Sequence, residues 1–179
     1  MNRLEDAERF RSIFGIAHPD VLRFVLRRSS PDVAEDIVAD TFLVAWRRVA
    51  DLPVDLDGAR AWLFGIARNQ LLNAQRTERR REALAVRLAD VVGMRGGATP
   101  DAADSVAGRL DVAHAWHRLS DTDQEVLALT VFEQLTSGHA AAVLGISPGA
   151  YRVRLSRARA ELRRHLGVAP ATLHLEEIH

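Results

Sequence analysis

The chain has no cysteine and no lysine. Without thiols there are no disulfides, no thiolate chemistry, no zinc–cysteine site and no direct thiol redox sensing. Long apolar runs are missing too. None approaches the roughly 20 residues needed to cross a bilayer, so no membrane insertion is expected. The start, MNRLEDAERF, carries charge where a secretory signal needs its apolar core, which points to a cytoplasmic protein. Net charge is also absent, because 24 basic residues balance 24 acidic ones over 179 residues. A composition of 47% hydrophobic and 27% charged residues is that of a soluble globular chain, with room for one domain or two small ones.

Charge is nonetheless unevenly placed along the chain. Every one of the basic residues is arginine, whose planar fork suits phosphates and guanine edges, although a GC-rich genome would produce the same usage. Arg79, Arg80 and Arg81 form one run. Arg152, Arg154, Arg157, Arg159, Arg163 and Arg164 crowd a C-terminal segment in which Glu161 is the one acid. Acids gather elsewhere, among them Asp101, Asp104, Asp111, Asp121, Asp123 and Glu125.

Helical periodicity dominates, and no stretch alternates with period two, so an all-α fold is expected. Ser30 as N-cap and Pro31 at the first position open a helix to about Val49, with an apolar stripe of Ala34, Ile37, Val38, Phe42, Ala45, Trp46 and Val49. After the turn DLPVDLDG a second helix is expected from near Ala59 to about Arg81. An earlier helix, roughly Glu5 to Arg28 with a break at His18-Pro19, completes a helical bundle. The stretch DVVGMRGGATPDAADSVAG holds too little apolar side chain to build a core and reads as a flexible linker. The resulting division is 1–88 for an N-terminal domain, 89–109 for the linker, 110–166 for a C-terminal domain and 167–179 for a loose tail. In the second domain Ser120 and Asp123 resemble a capping box, and helices are expected at about 121–132, 137–144 and 148–166.

The most specific local signal is SGHAAAVLGISPGAYRVRLSRARAELRRHL. A short helix ends at Leu144, Gly145 supplies the left-handed C-terminal residue, and Ser147-Pro148 opens the next helix. This is the helix-turn-helix layout, in which a second helix enters the major groove. On that helix Tyr151, Leu155, Ala158, Leu162 and Leu166 share one stripe and should pack inward, while the arginines cover the remaining faces. Such an arrangement supplies both phosphate affinity and base-edge readout.

Two other constellations carry less chemistry. Asp36 and Asp40 lie four apart on a helix beside Glu35. Mid-helix carboxylates with no companion histidine or glycine-rich loop fit a solvated or docking face better than acid/base catalysis. In AWLFGIARNQLLNAQRTERRRE, Trp62, Arg68, Asn69, Asn73 and Arg76 combine an aromatic, amides and guanidiniums, which suits stacking on unpaired bases, although on composition alone Trp62 reads as a core residue before a stacking platform. His114 and His117 have a zinc-compatible spacing but no completing ligand, so no metal and no cofactor is expected.

Together these segments resemble the sigma-70 family of bacterial RNA polymerase sigma factors, in its extracytoplasmic-function (ECF) group. AEDIVADTFLVAWRRV is similar to the family's polymerase-binding helix, often written AEDLVQEVFLRAWR. WLFGIARNQLLNAQRTERRR is similar to its −10 helix, commonly WLFRIARN followed by an arginine run. The segment from His117 to Leu166 resembles its −35-reading domain. The resemblance implies that Glu35, Asp36, Asp40 and Trp46 bind core RNA polymerase. It implies −10 contacts from Asp57, Arg60, Arg68, Asn69, Asn73, Arg76, Arg79 and Arg80. It further implies −35 contacts from Ser147, Tyr151, Arg152, Arg154, Ser156, Arg157 and Arg159. The implied partners are core polymerase, promoter DNA and an anti-sigma factor, with the protein held at the nucleoid through polymerase and having no enzymatic activity. Two rival readings remain: a dimeric helix-turn-helix regulator that binds operators alone, and a protein-interaction module working through its acidic helix.

Overall fold

A computed structural model describes the backbone of residues 3–92 and 107–167 and the side chains of 4–77 and 112–167. Among the described residues all regular structure is helical. Helices α1 (Arg3–Leu26), α2 (Pro31–Arg47) and α3 (Leu56–Val92) form the N-terminal half, with a 3-10 turn at Val49–Asp51. Helices α4 (Ala107–His117), α5 (Asp121–Val131), α6 (Ser137–Leu144) and α7 (Pro148–His165) form the C-terminal half. Helical turns of α3 and α4 thus enter both ends of the expected 89–109 linker, and 93–106 lie outside the described residues. The 167–179 tail lies outside them from residue 168 onward.

The expected break at His18-Pro19 does not occur, because α1 runs through Pro19 without interruption. Proline there removes one hydrogen bond to the turn before it. Ala17, Val21, Phe24 and Val25 on the same helix are completely buried, and that packing holds the chain helical across the missing bond. Phe24 stacks on Phe64 of α3, with centroids 4.8 Å apart. Ile37, Val38 and Phe42 close the bundle from α2, and the buried Thr41 hydroxyl donates to the Ile37 carbonyl at 2.7 Å.

Helix starts follow their capping chemistry, with one shift in position. Ser30 is the N-cap residue of α2, but its hydroxyl makes no capping bond; Pro31 has no N–H to satisfy there. α3 begins at Leu56, earlier than the apolar pattern suggests, because the Asp55 carboxylate accepts from the Gly58 N–H at 2.7 Å. A β-carbon on Gly58 would stand 2.7 Å from that same carboxylate, so a larger residue there would push the Asp55 side chain aside and weaken the cap.

In the C-terminal half, Ser120, Thr136 and Ser147 accept from the backbone N–H groups of Asp123, His139 and Ala150. The Asp123 side chain does not reach back to the Ser120 N–H as a full capping box would; it accepts the Ser120 hydroxyl hydrogen at 2.7 Å. Gly145 adopts φ 66° and ψ 34°, and the Ile146 N–H reaches the Ala141 carbonyl at 3.0 Å, a Schellman-type stop that sets the angle between α6 and α7.

The two halves are in contact. α6 lies against α3, and the buried apolar side chains of both halves form one continuous cluster. The approach is close where a side chain is missing: a β-carbon on Gly65 would be 4.0 Å from the Val143 Cα.

Candidate nucleic-acid interface

The geometry of α7 is set from inside. Tyr151 is completely buried, and its phenol donates to the Val126 carbonyl at 2.8 Å and lies 2.7 Å from the Thr130 hydroxyl. Tyr151 therefore cannot present itself to a base, and the −35 role assigned to it is corrected to that of an anchor. Leu155 and Ala158 continue the buried stripe. With the stripe facing α5 and α6, Arg152, Arg154, Ser156, Arg157 and Arg159 are all exposed, and Ser147 is exposed at the N-cap. Val153 stands among them, half exposed. The result is a helix whose solvent-facing sides carry arginines on both flanks of the buried stripe, on a turn fixed by Gly145.

The long helix α3 carries the second basic surface. Asn69, Asn73 and Arg76 are exposed at spacings of four and three, which puts them on one stripe. The side chains of Arg79 and Arg80 lie outside the described residues. Trp62 is partly buried against the core, with the Arg48 guanidinium 5.8 Å from its ring centroid, so it is both packed and accessible along one edge. Asp57 is exposed in the first turn.

Two arginines of this set are engaged within the protein. Arg60 bonds Asp20 through Nε at 2.7 Å and so ties α3 to α1. Arg68 forms a two-point pair with Glu125 of α5, Nε to Oε1 at 2.6 Å and Nη2 to Oε2 at 3.0 Å. A cavity of about 510 Å³ lies between Trp62, Arg68 and Asn69 on α3 and His139, Ala142 and Leu144 on α6.

The acidic helix presents a third face. Glu35, Asp36 and Asp40 are exposed together on α2, and Trp46 at its end is 44% exposed. The Trp46 ring meets Phe10 edge-on at 5.1 Å, and Phe14 meets Phe42 at 4.7 Å. A carboxylate stripe thus lies beside a partly open aromatic cluster. His114 and His117 are exposed, and no three-residue metal-ligating group occurs among the described residues.

Sequence reasoning missed Glu133. Its carboxylate is 3% exposed and sits 2.5 Å from Arg27 and 3.2 Å from Arg28. Burial pulls the Arg28 guanidinium below its usual range, and Glu133 opposes that shift. Nothing local marks this glutamate, since its partners lie more than 100 positions away.

Comparison with known proteins names the class that these surfaces define. Residues 14–81 match the Sigma-70 region 2 family and 109–162 match Sigma-70, region 4. The RNA polymerase sigma factor CnrH of Cupriavidus metallidurans is 38% identical over 72% of this chain and 70% of its own. The ECF RNA polymerase sigma factor SigL of Mycobacterium tuberculosis is 33% identical over 82% of each chain. Among solved structures, the sigma factor RpoE of Bartonella quintana, in complex with the anti-sigma factor NepR, superposes with TM-score 0.61 at 30% identity, covering 90% of this chain and 98% of RpoE. CnrH in complex with the cytosolic domain of CnrY gives TM-score 0.53 at 26% identity, covering 94% and 92%. The chain belongs to the sigma-70 family of RNA polymerase sigma factors, in its extracytoplasmic-function group.

Proposed function

We propose that this protein binds core RNA polymerase and directs it to a restricted set of promoters, without enzymatic activity of its own. The carrying observation is the outward arginine face of α7, held by the buried Tyr151, on a chain whose other half matches region 2. In this reading 1–88 binds polymerase and the −10 element, 89–109 connects, and 110–166 reads the −35 element. Glu35, Asp36, Asp40 and Trp46 form the polymerase face. Asn69, Asn73 and Arg76 meet the −10 strand directly, joined by Asp57, Arg68, Arg79 and Arg80, whereas Arg60 serves mainly as the tie to Asp20.

Promoter opening then depends on capturing bases that have already left the stack, with unpairing offset by stacking and backbone contacts. Holding both domains on one enzyme raises their local concentration at the two elements, so each contact can be weak. The protein works in the cytoplasm, at the nucleoid through polymerase. An anti-sigma factor is a proposed partner, supported by the two superposed structures, which are sigma–anti-sigma complexes. Run-off transcription on genomic fragments, comparing core polymerase alone with core plus this protein, tests the reading. New discrete transcripts are expected; none appearing overturns it.

A further inference from the structure

The −10 surface proposed above is only partly open in this structure: Asp57, Asn69, Asn73 and Arg76 are exposed, but Arg68 and one side of Trp62 are covered. Arg68 has both arms of its fork on Glu125, a carboxylate of the opposite half. A carboxylate and a phosphate make the same demand on a guanidinium, namely two parallel acceptors at hydrogen-bonding distance. Glu125 therefore occupies the geometry that a DNA backbone oxygen pair would take. Trp62, partly buried, faces a cavity whose other wall is α6, so a base stacking on it from that side has to displace that helix.

A second clamp lies nearby. Glu133, at the end of α5, is buried between Arg27 and Arg28 at the end of α1, and Arg27 also sits 5.5 Å from the Phe132 ring centroid. Each carboxylate comes from the helix-turn-helix half and each cation from the other half. The helix contact between the clamps passes Gly65, the position that holds Arg in the WLFRIARN pattern, where a β-carbon would already touch the Val143 backbone at van der Waals distance. The coverage is selective. The acidic face of α2 and the arginine face of α7 stay exposed.

We propose that this packed arrangement is an autoinhibited state, latched by Glu125 on Arg68 and by Glu133 on Arg27 and Arg28, that withholds Arg68 and Trp62 from the −10 strand while leaving the polymerase-docking face free. Polymerase engages the exposed α2 first, and opening of the latch releases Arg68 and Trp62 for the unpaired strand. The proposal rests on the −10 assignment made above.

The absence of native cysteine makes the test direct. Spin labels on S12C of α1 and R163C of α7, both exposed, report the separation of the two halves in the full-length chain without polymerase. A single narrow distance population is expected, lengthening and broadening in the E125Q/E133Q background. A broad population in the unaltered background, or no change in the variant, overturns the latch. A charge-neutral arm uses G65C/V143C, whose Cα atoms lie within about 5.5 Å and so within disulfide range. With closure verified by loss of both free thiols, and with the exposed α7 arginines removed in an R152A/R154A/R157A/R159A background, a fluorescent random-sequence single-stranded DNA 12-mer should bind at least about tenfold more weakly to the oxidised than to the reduced protein. Equal binding in the two forms overturns the proposal. The distance measurement involves neither polymerase nor promoter, so its result is independent of whether the promoter-directing role stands.

Discussion

The phenol of Tyr151 donates to the Val126 carbonyl at 2.8 Å, tying the first inward residue of α7 to the middle of α5. Because that hydrogen goes to Val126, the neighbouring Thr130 hydroxyl is the donor to the phenol oxygen. The pair fixes the rotation of α7 about its axis, and with it the direction in which five residues, Arg152 to Arg159, point.

Tyr151→Phe should therefore destabilise the protein by about 1–2 kcal/mol, since a buried carbonyl and a hydroxyl both lose a partner. Burial also pushes the Tyr151 phenol above its ordinary value of 10.0, with Thr130 opposing. The folded state thus keeps this proton to higher pH than the unfolded state. Its contribution is complete below pH 10 and is lost as pH rises through the folded value. Urea midpoints measured from pH 7 to 11 should fall at the alkaline end, and less so in Tyr151→Phe.

Gly145 and Gln134 both hold left-handed backbone, at φ 66° and 55°. Nothing stands within 4 Å of a β-carbon on Gly145, so Gly145→Ala tests the conformational cost alone, about 1 kcal/mol of destabilisation. Gln134→Gly should change stability in the opposite direction by about 0.5–1 kcal/mol. Thermal denaturation of the pair reads both signs in one experiment.

Asp36→Arg with Asp40→Arg should abolish co-purification with core polymerase while leaving the melting temperature unchanged, because both carboxylates are exposed. Retained polymerase binding removes α2 as the docking face.

Arg157→Ala should weaken promoter-specific transcription. A forked contact to guanine costs about 1–3 kcal/mol when lost and relaxes preference at one base pair. Transcription from a set of single-base −35 variants distinguishes this from a phosphate contact, which would weaken all of them equally.

Trp62→Ala removes a ring that is packed on one side and accessible on the other. A stability loss of about 2 kcal/mol is expected from the packed side. A defect in promoter opening that persists at temperatures where the variant is fully folded assigns the accessible side to base stacking. Permanganate footprinting of the −10 region measures it.

Much of this protein was written locally in its chain. The α2 stripe from Ala34 to Ala45, the Ser147-Pro148 start and the left-handed Gly145 depend on neighbours within a few positions, where capping and periodicity act, and each stands in the structure as the sequence implies. Local signals failed where packing outweighed them. Pro19 predicts a break, yet the buried Ala17, Val21, Phe24 and Val25 carry α1 through it. Tyr151 lies on the inward stripe, and its position there excludes the DNA contact that the family pattern suggested. Sequence alone determined the all-helical class, the α6–α7 turn and the two charged surfaces, because these arise from interactions a few residues long. The tertiary structure decided that Glu125 meets Arg68 and Glu133 meets Arg27 and Arg28, because ion pairs between residues 57 to 106 positions apart exist only once both halves have folded and come together.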